Sequence, residues 1–454
     1  MRETVAVDRA ETYRETGEAA WRWVLTQVRD DDGPRIPVSV PEAKPEPEYR
    51  DGMYAGIGGL AHALREVHLA RPWSPEESHL AEQVGRRVRA VVPTMTDTTC
   101  FDGLVSAIGT LTALVQPGAE VAVSRLLEVA GPDGWPQPYV APPRFEAGGT
   151  INDVTLGTGA VLLGAVWALR HDVASAEPVA HRAADLLLAE AEEAPDGLDW
   201  QFVPRRFWAQ PDRPPMPNFS HGLAGIVTVL ALAGKTLDRP DLLAAAERGA
   251  THYVGLADTS GGGCRVPRQI PVVDDDDYAN GWCHGPTGAS LQFPALGLAG
   301  VRDLAGRPVE EWRSRCLHSV RTSGIPERTR PGFWDNDGRC CGTAGVVDVL
   351  LDAWQSGGPD AELDFALHLC DGLVERALVD GDHACWRFVE HRNDDPLLPP
   401  GVGWMQGAAG IAAVLLRAAR VVEDGRDAAA VRRMDNWWAL PEEGLDGLDH
   451  RVQT

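Results

Sequence analysis

A short glycine step that leads into an apolar segment occurs seven times along this chain, and the recurrence limits the fold more than any other feature. The steps are Gly56-Ile57-Gly58-Gly59, Gly103-Leu104-Val105-Ser106, Gly157-Thr158-Gly159-Ala160, Gly222-Leu223-Ala224-Gly225, Gly285-Pro286-Thr287-Gly288, Gly342-Thr343-Ala344-Gly345 and Gly407-Ala408-Ala409-Gly410. Their first residues stand between 47 (Gly56 to Gly103) and 65 (Gly157 to Gly222) positions apart. A near-regular period of this size marks a repeat architecture.

The segments after the steps, such as Gly159 to Leu169 and Gly410 to Leu416, are almost wholly apolar. They are too long and too rich in Ala and Leu for strands, so they read as buried helices. Ahead of the steps, Ser78 to Val92, Glu177 to Glu193, Asp241 to Val254, Val309 to Val320 and Glu362 to Leu378 carry apolar residues at helical spacing with Arg, Glu and His between them. That is the pattern of a one-sided surface helix. Each repeat is therefore an outer helix, a loop and an inner helix. Two segments stand apart: a Pro- and acid-rich loop at 30–51, joining a first outer helix near Glu11 to Val28 to its partner, and a peripheral tail at 441–454.

An open array of such pairs needs polar caps at both ends, whereas the last apolar helix, Gly410 to Val422, reads as buried as the middle ones. The expectation is a single all-α domain over 1–454, an α/α toroid of seven inner and seven outer helices. In that arrangement the seven steps open at one end onto a shared cavity. The net charge of −24 argues against nucleic-acid binding. No run approaches the ~18 apolar residues of a membrane span, and Met1-Arg2-Glu3-Thr4 begins no signal peptide, so a cytoplasmic location is expected. In a reducing compartment the eight cysteines are expected as free thiols or metal ligands.

Three of those thiols sit at the loop ends. Cys283, in Trp282-Cys283-His284-Gly285, and Cys340-Cys341-Gly342 precede neighbouring inner helices, so they can meet on one metal. Zinc in a catalytic site takes three protein ligands and keeps one position open. Free cysteine is also common in crowded interiors, but a vicinal pair facing a third thiol at the same step favours the metal. His221, just before Gly222, holds the corresponding place and is a candidate general acid/base. Asp153, in Asn152-Asp153-Val154, is the acidic candidate of the preceding repeat, or simply a cap. His284 is a fourth ligand or a cavity-lining residue, and Gln406, at the matching place in repeat seven, offers amide hydrogen bonds. The acid run Asp274-Asp275-Asp276-Asp277 reads as a solvated loop rather than a magnesium site.

His221-Gly222-Leu223-Ala224-Gly225, Trp282-Cys283-His284-Gly285-Pro286-Thr287-Gly288, Cys341-Gly342-Thr343-Ala344-Gly345 and Trp404-Met405-Gln406-Gly407-Ala408-Ala409-Gly410-Ile411 resemble the motifs of the lanthionine synthetase C family. The resemblance runs over all seven repeats, from Tyr54 to Leu416. It implies an α/α toroid with one Zn2+ and a zinc-dependent cyclase that closes lanthionine and methyllanthionine thioether rings in ribosomally made peptides. On it, Cys283, Cys340 and Cys341 correspond to the zinc ligands, His221 to the acid/base histidine and Asp153 to the assisting aspartate. Two positions depart. Many members have Cys-His-Gly where this chain has Cys340-Cys341-Gly342, and some have an Arg where Ala279 stands, a role either vacant here or taken by Arg265, Arg268 or Arg339.

With no kinase-like glycine loop and no added domain, the chain is expected to act on a dehydrated precursor peptide supplied by a separate dehydratase. A membrane-associated transporter complex is a further partner consistent with the resemblance, although the chain carries no membrane segment of its own. The competing readings are addition of glutathione or another small thiol to dehydrated residues, and a non-catalytic scaffold that binds a dehydratase or leader peptide. A toroidal glycosidase would need paired carboxylates, and Asp153 has no evident partner in the sequence.

Overall fold

A computed structural model describes residues 2–30, 32–42, 46–210, 215–272, 278–391 and 393–441. The acid run at 274–277 and the tail beyond Pro441 lie outside them. Outer and inner helices alternate along the chain: α1 (Arg2–Gln27), α2 (Ile57–Ala70), α3 (Pro75–Val91), α4 (Leu104–Ala113), α5 (Ala119–Val129), α6 (Thr158–Arg170), α7 (Glu177–Ala189), α8 (Leu223–Thr236) and α9 (Pro240–Leu256). They continue as α10 (Pro286–Ala289), α11 (Gln292–Leu298), α12 (Val309–Arg321), α13 (Thr343–Gln355), α14 (Asp360–Arg376) and α15 (Ala408–Asp424). Every glycine step opens an inner helix. The fifth is broken into α10 and α11 ahead of Pro294, whose ring is tolerated only in a first helical turn.

Two outer helices end earlier than their periodicity suggests. After α7, residues 192–194 pair with 197–199, and after α14, residues 378–380 pair with 383–385. Asp196-Gly197 and Gly381-Asp382 at these hairpins are turn-forming dipeptides that outweigh the helical pattern. The outer helix α5 has no counterpart among the sequence-read segments.

The helix starts share one solution to a common problem. The first N–H groups of a helix have no partner within it. Here the loop folds back so that a carbonyl seven residues earlier accepts the first of them: Arg50 for Ile57, Asp97 for Leu104, Ile151 for Thr158, Met216 for Leu223, Asn336 for Thr343 and Gly401 for Ala408, at 2.7 to 3.3 Å. At the fifth step Pro286 has no N–H to satisfy, and the Thr287 hydroxyl donates to the Asn280 carbonyl instead, at 2.6 Å. The fold-back also explains the last glycine of the steps. A Cβ at Gly288 would lie 1.8 Å from the Trp282 carbonyl oxygen, and one at Gly345 would lie 1.9 Å from that of Arg339.

The chain forms two compact units, Met1–Ala90 with Ala113–Gln116 and Ile325–Thr454, and Val91–Thr112 with Pro117–Gly324. In the first, α15 packs against both α1 and α2. The opening helices thus cover the last inner helix, which an open array would leave to a polar cap. In the second, α8 packs against α6, α9 and α11, with α7 on α6 and α12 on α11. Among the described residues no helix is long and apolar enough to cross a membrane.

The first unit also buries a charge network absent from the sequence reading. Asp348 on α13 accepts from Arg339 at 2.6 Å and from Arg417 at 2.7 Å, and it also pairs with Arg433. Arg417 reaches Asp352 at 2.7 Å, and Arg420 pairs with Glu66. Burial opposes a charge on Asp348, but Arg339, Arg433 and Arg417 hold its carboxyl well below the ordinary value. Removing one member of such a group leaves the others buried and undercompensated. Asp348→Asn is therefore expected to cost about 3–5 kcal/mol at neutral pH, read from the urea unfolding midpoint. Because the folded pKa is depressed, the wild-type advantage is full above the unfolded carboxylate value, about 3.9, and fades as pH falls below it.

Candidate active site

Since loop carbonyls cap the helix starts, the side chains just ahead of each step are not needed as caps. The N-cap residue of α6, α8, α10, α13 and α15 is the step glycine itself, with no side-chain cap. The last loop residues of repeats two to seven are Asp102, Leu156, His221, His284, Cys341 and Gln406. Five of these six can carry chemistry.

In the second unit, Asp153 and His221 are brought together. The Asp153 Oδ2 lies 2.6 Å from His221 Nδ1, with the carboxylate fully buried and the imidazole 30% exposed. Asp153 Oδ1 accepts the backbone N–H groups of Thr155 at 3.1 Å and Leu156 at 2.6 Å. It is thus both a loop cap and a histidine partner, so the two sequence readings of Asp153 are compatible. The Thr155 hydroxyl, which the sequence reading missed, donates to the Ser220 carbonyl at 3.0 Å and lies 3.1 Å from His221 Nδ1. With Nδ1–H directed at the carboxylate, Nε2 is the nitrogen left to exchange a proton. Phe202 packs edge-on against the ring at 5.7 Å.

Among the described residues, His284 is not one of the side chains grouped closely enough to share a metal. Its Nδ1 donates to Asn218 Oδ1 at 2.7 Å, and Asn218 Nδ2 donates to the Arg268 carbonyl at 2.9 Å. The ring faces His221 at 5.4 Å. Burial first, then the nearby His221 and Arg268, push its pKa down to about 3, so it is neutral at physiological pH. Of the arginines considered for the role vacated at Ala279, Arg339 is committed to Asp348, and Arg265 pairs with Asp258 at 3.1 Å and stacks on Tyr278 at 4.5 Å. Arg268 is the one whose charge bears on the histidine pair.

Cys283 is buried and tied to the His221 loop, its carbonyl accepting from both the N–H and the hydroxyl of Ser220 at 3.0 Å. Cys340 is partly buried and Cys341 exposed, with their sulfurs 3.4 Å apart. Both the Arg339 and Cys340 N–H groups donate to the Met405 carbonyl, at 2.7 and 2.9 Å. Among the described residues, Cys283, Cys340 and Cys341 form a group that could hold a metal, their sulfurs all within 4.8 Å of one another. Cys100, Cys264, Cys316 and Cys370 are buried in the core, and Cys385 lies in a hairpin.

An all-α repeat fold with a thiol group and a histidine–carboxylate pair on its glycine-step loops defines the class, and comparisons make it specific. Residues 207–424 match the family described as lanthionine synthetase C-like protein. A solved structure of nisin cyclase aligns with a TM-score of 0.56 at 13% identity, over 82% of this chain and 89% of that one. No curated protein matches in sequence. The fold is the helical toroid expected from the repeats, and the chain's second half is similar in sequence to lanthionine synthetase C-like proteins.

Removing the Asp153 side chain takes away the acceptor of two backbone N–H groups, one of them buried. Asp153→Ala is expected to lose about 1–3 kcal/mol of stability in denaturant unfolding. A full loss of the fold would mean that the pair is chiefly structural.

Proposed function

We propose that this chain is a zinc-dependent cyclase that forms lanthionine and methyllanthionine rings by adding peptide cysteine thiols to dehydroalanine and dehydrobutyrine. The observation that carries the reading is the grouping of Cys283, Cys340 and Cys341. Tetrahedral zinc with bonds of about 2.3 Å to sulfur needs sulfurs about 3.8 Å apart, which suits a group confined within 4.8 Å with one pair at 3.4 Å. When bound there, zinc supplies Lewis acidity that lowers the pKa of an incoming thiol.

The rest is the work of the chain's own residues. His221 Nε2 takes up the proton released by the thiol and returns it to the α-carbon once the sulfur–carbon bond has formed. Asp153 fixes the tautomer and stabilises the imidazolium in between, while Thr155 holds the ring from the same side. Neutral His284 adds no competing charge beside it. The substrate is a dehydrated precursor peptide, a separate dehydratase supplies it, and the setting is cytoplasmic.

Incubation with a dehydrated precursor peptide, thiol alkylation and mass spectrometry test the reading. Loss of alkylatable thiols without a mass change, and thioether fragments, are the expected result. Adducts with added glutathione but no internal rings would assign the chain to small-thiol addition. The purified protein is expected to hold about one zinc, and Cys283→Ala, Cys340→Ala or Cys341→Ala to lose it while keeping the helical circular dichroism. Full retention in Cys341→Ala would contradict the three-thiolate site. His221→Ala is expected to keep zinc and slow ring closure by roughly 10²–10⁴-fold; an unchanged rate would assign the proton to another group.

A further inference from the structure

Asp102 closes the second repeat's loop at the place that His221 and Cys341 hold in theirs, directly before Gly103. Its loop is joined to the acid–base pair inside the second unit. The Cys100 N–H donates to the Thr155 carbonyl at 2.8 Å, on the residue whose hydroxyl touches both Asp153 and His221. On the other side, Phe101 packs edge-on against Trp282 at 5.8 Å, and Trp282 against Phe219 at 5.3 Å. The loops carrying Asp102, Asp153, His221 and Cys283 therefore meet.

The Asp102 carboxyl differs from Asp153 in its surroundings. Its Oδ1 is buried and has no hydrogen-bond partner among the described residues. The helix it precedes does not need it, because the Asp97 carbonyl already accepts the Leu104 N–H at 2.8 Å. An ionised carboxylate with a dry, unpaired oxygen is costly, whereas the neutral acid can wait for a partner. Burial, and then the charge of Asp97, push its pKa up to about 7. The Tyr139 hydroxyl is pushed up by burial and by Asp153, Asp97 and Asp102. Tyr139 thus senses both Asp102 and Asp153.

We infer that Asp102 is a further catalytic residue of the ring-forming reaction, donating a hydrogen bond from its neutral carboxyl to the acyl oxygen of the dehydro residue. The inference rests on the cyclase reading. As the sulfur bonds to the β-carbon, the carbon–carbon π bond breaks and its electron pair moves onto the acyl oxygen, where the Asp102 O–H stabilises it. The pair returns as the α-carbon takes the proton from His221. Asp102 keeps its own proton throughout, so the thiol proton alone ends on carbon. A preorganised donor aimed at a developing oxyanion acts in the same way in acyl-transfer enzymes, and neutral carboxylic acids can fill that role.

The test compares single-turnover ring closure at saturating dehydrated peptide for wild type, Asp102→Ala and Asp102→Asn, with zinc content and thermal unfolding measured alongside. Asp102→Ala is expected to slow closure by about 10²-fold with peptide affinity, zinc and melting temperature unchanged. Asp102→Asn still offers an N–H donor and is expected to stay within about tenfold of wild type. Closure by Asp102→Ala at the wild-type rate overturns the proposal, as does an Asn variant as slow as the Ala variant. A melting temperature that falls in both variants in step with the rate also overturns it, by assigning Asp102 a structural role. Wild-type protein that closes no rings removes the cyclase reading and the inference together.

Discussion

The hydrogen bond from each helix start to a carbonyl seven residues earlier is the constraint on which the rest depends. It satisfies a donor that would otherwise need a side chain or water. It also presses the loop so close to the first helical turn that only glycine fits at the last position of steps such as Gly288 and Gly345. Because backbone does the capping, the residue before each step is released. Six loops present that position, and evolution has filled it with Asp102, His221, His284, Cys341 and Gln406 while leaving Leu156 apolar.

Electrostatics divide the two units differently. In the first, Asp348, Asp352 and Asp435 counter the charges of Arg339, Arg417 and Arg433. Arg339 stacks on Trp404 at 4.2 Å and lies next to Cys340 in sequence. The network fixes the backbone from which the vicinal thiols project, since the Arg339 and Cys340 N–H groups share one carbonyl. In the second, Asp153 and His221 are paired, while the buried Oδ1 of Asp102 has no partner among the described residues. The first arrangement suits a rigid platform, the second a site that exchanges a proton.

Much of this was legible in the sequence, and the reasons are physical. The glycine steps, the apolar runs behind them and the amphipathic runs ahead fix the alternation of helices, and seven of each are found among the described residues. His221, Asp153 and the three cysteines could be named as candidates because each lies in a loop that runs into a glycine step. The hairpins after α7 and α14 were not, since the helical period runs through them and only short turn dipeptides oppose it. Nor was the buried ion network, whose paired members lie up to 354 residues apart, some in loops and some on helices that otherwise read as apolar. Thr155, Asn218 and Arg268 carry no motif, and their parts emerge only from contacts between loops. Asp102 had a signal, its register with His221, that gains meaning once its unpaired oxygen is known.

The central claim is that loop-end thiols build a three-sulfur metal centre with one position open to a peptide thiol. Zinc K-edge absorption on the purified chain addresses it most directly. The account predicts three sulfurs at about 2.3 Å with one lighter neighbour, becoming four sulfurs when a thiol-bearing dehydrated peptide is added. A shell containing imidazole nitrogen, or a spectrum unmoved by the peptide, would contradict it.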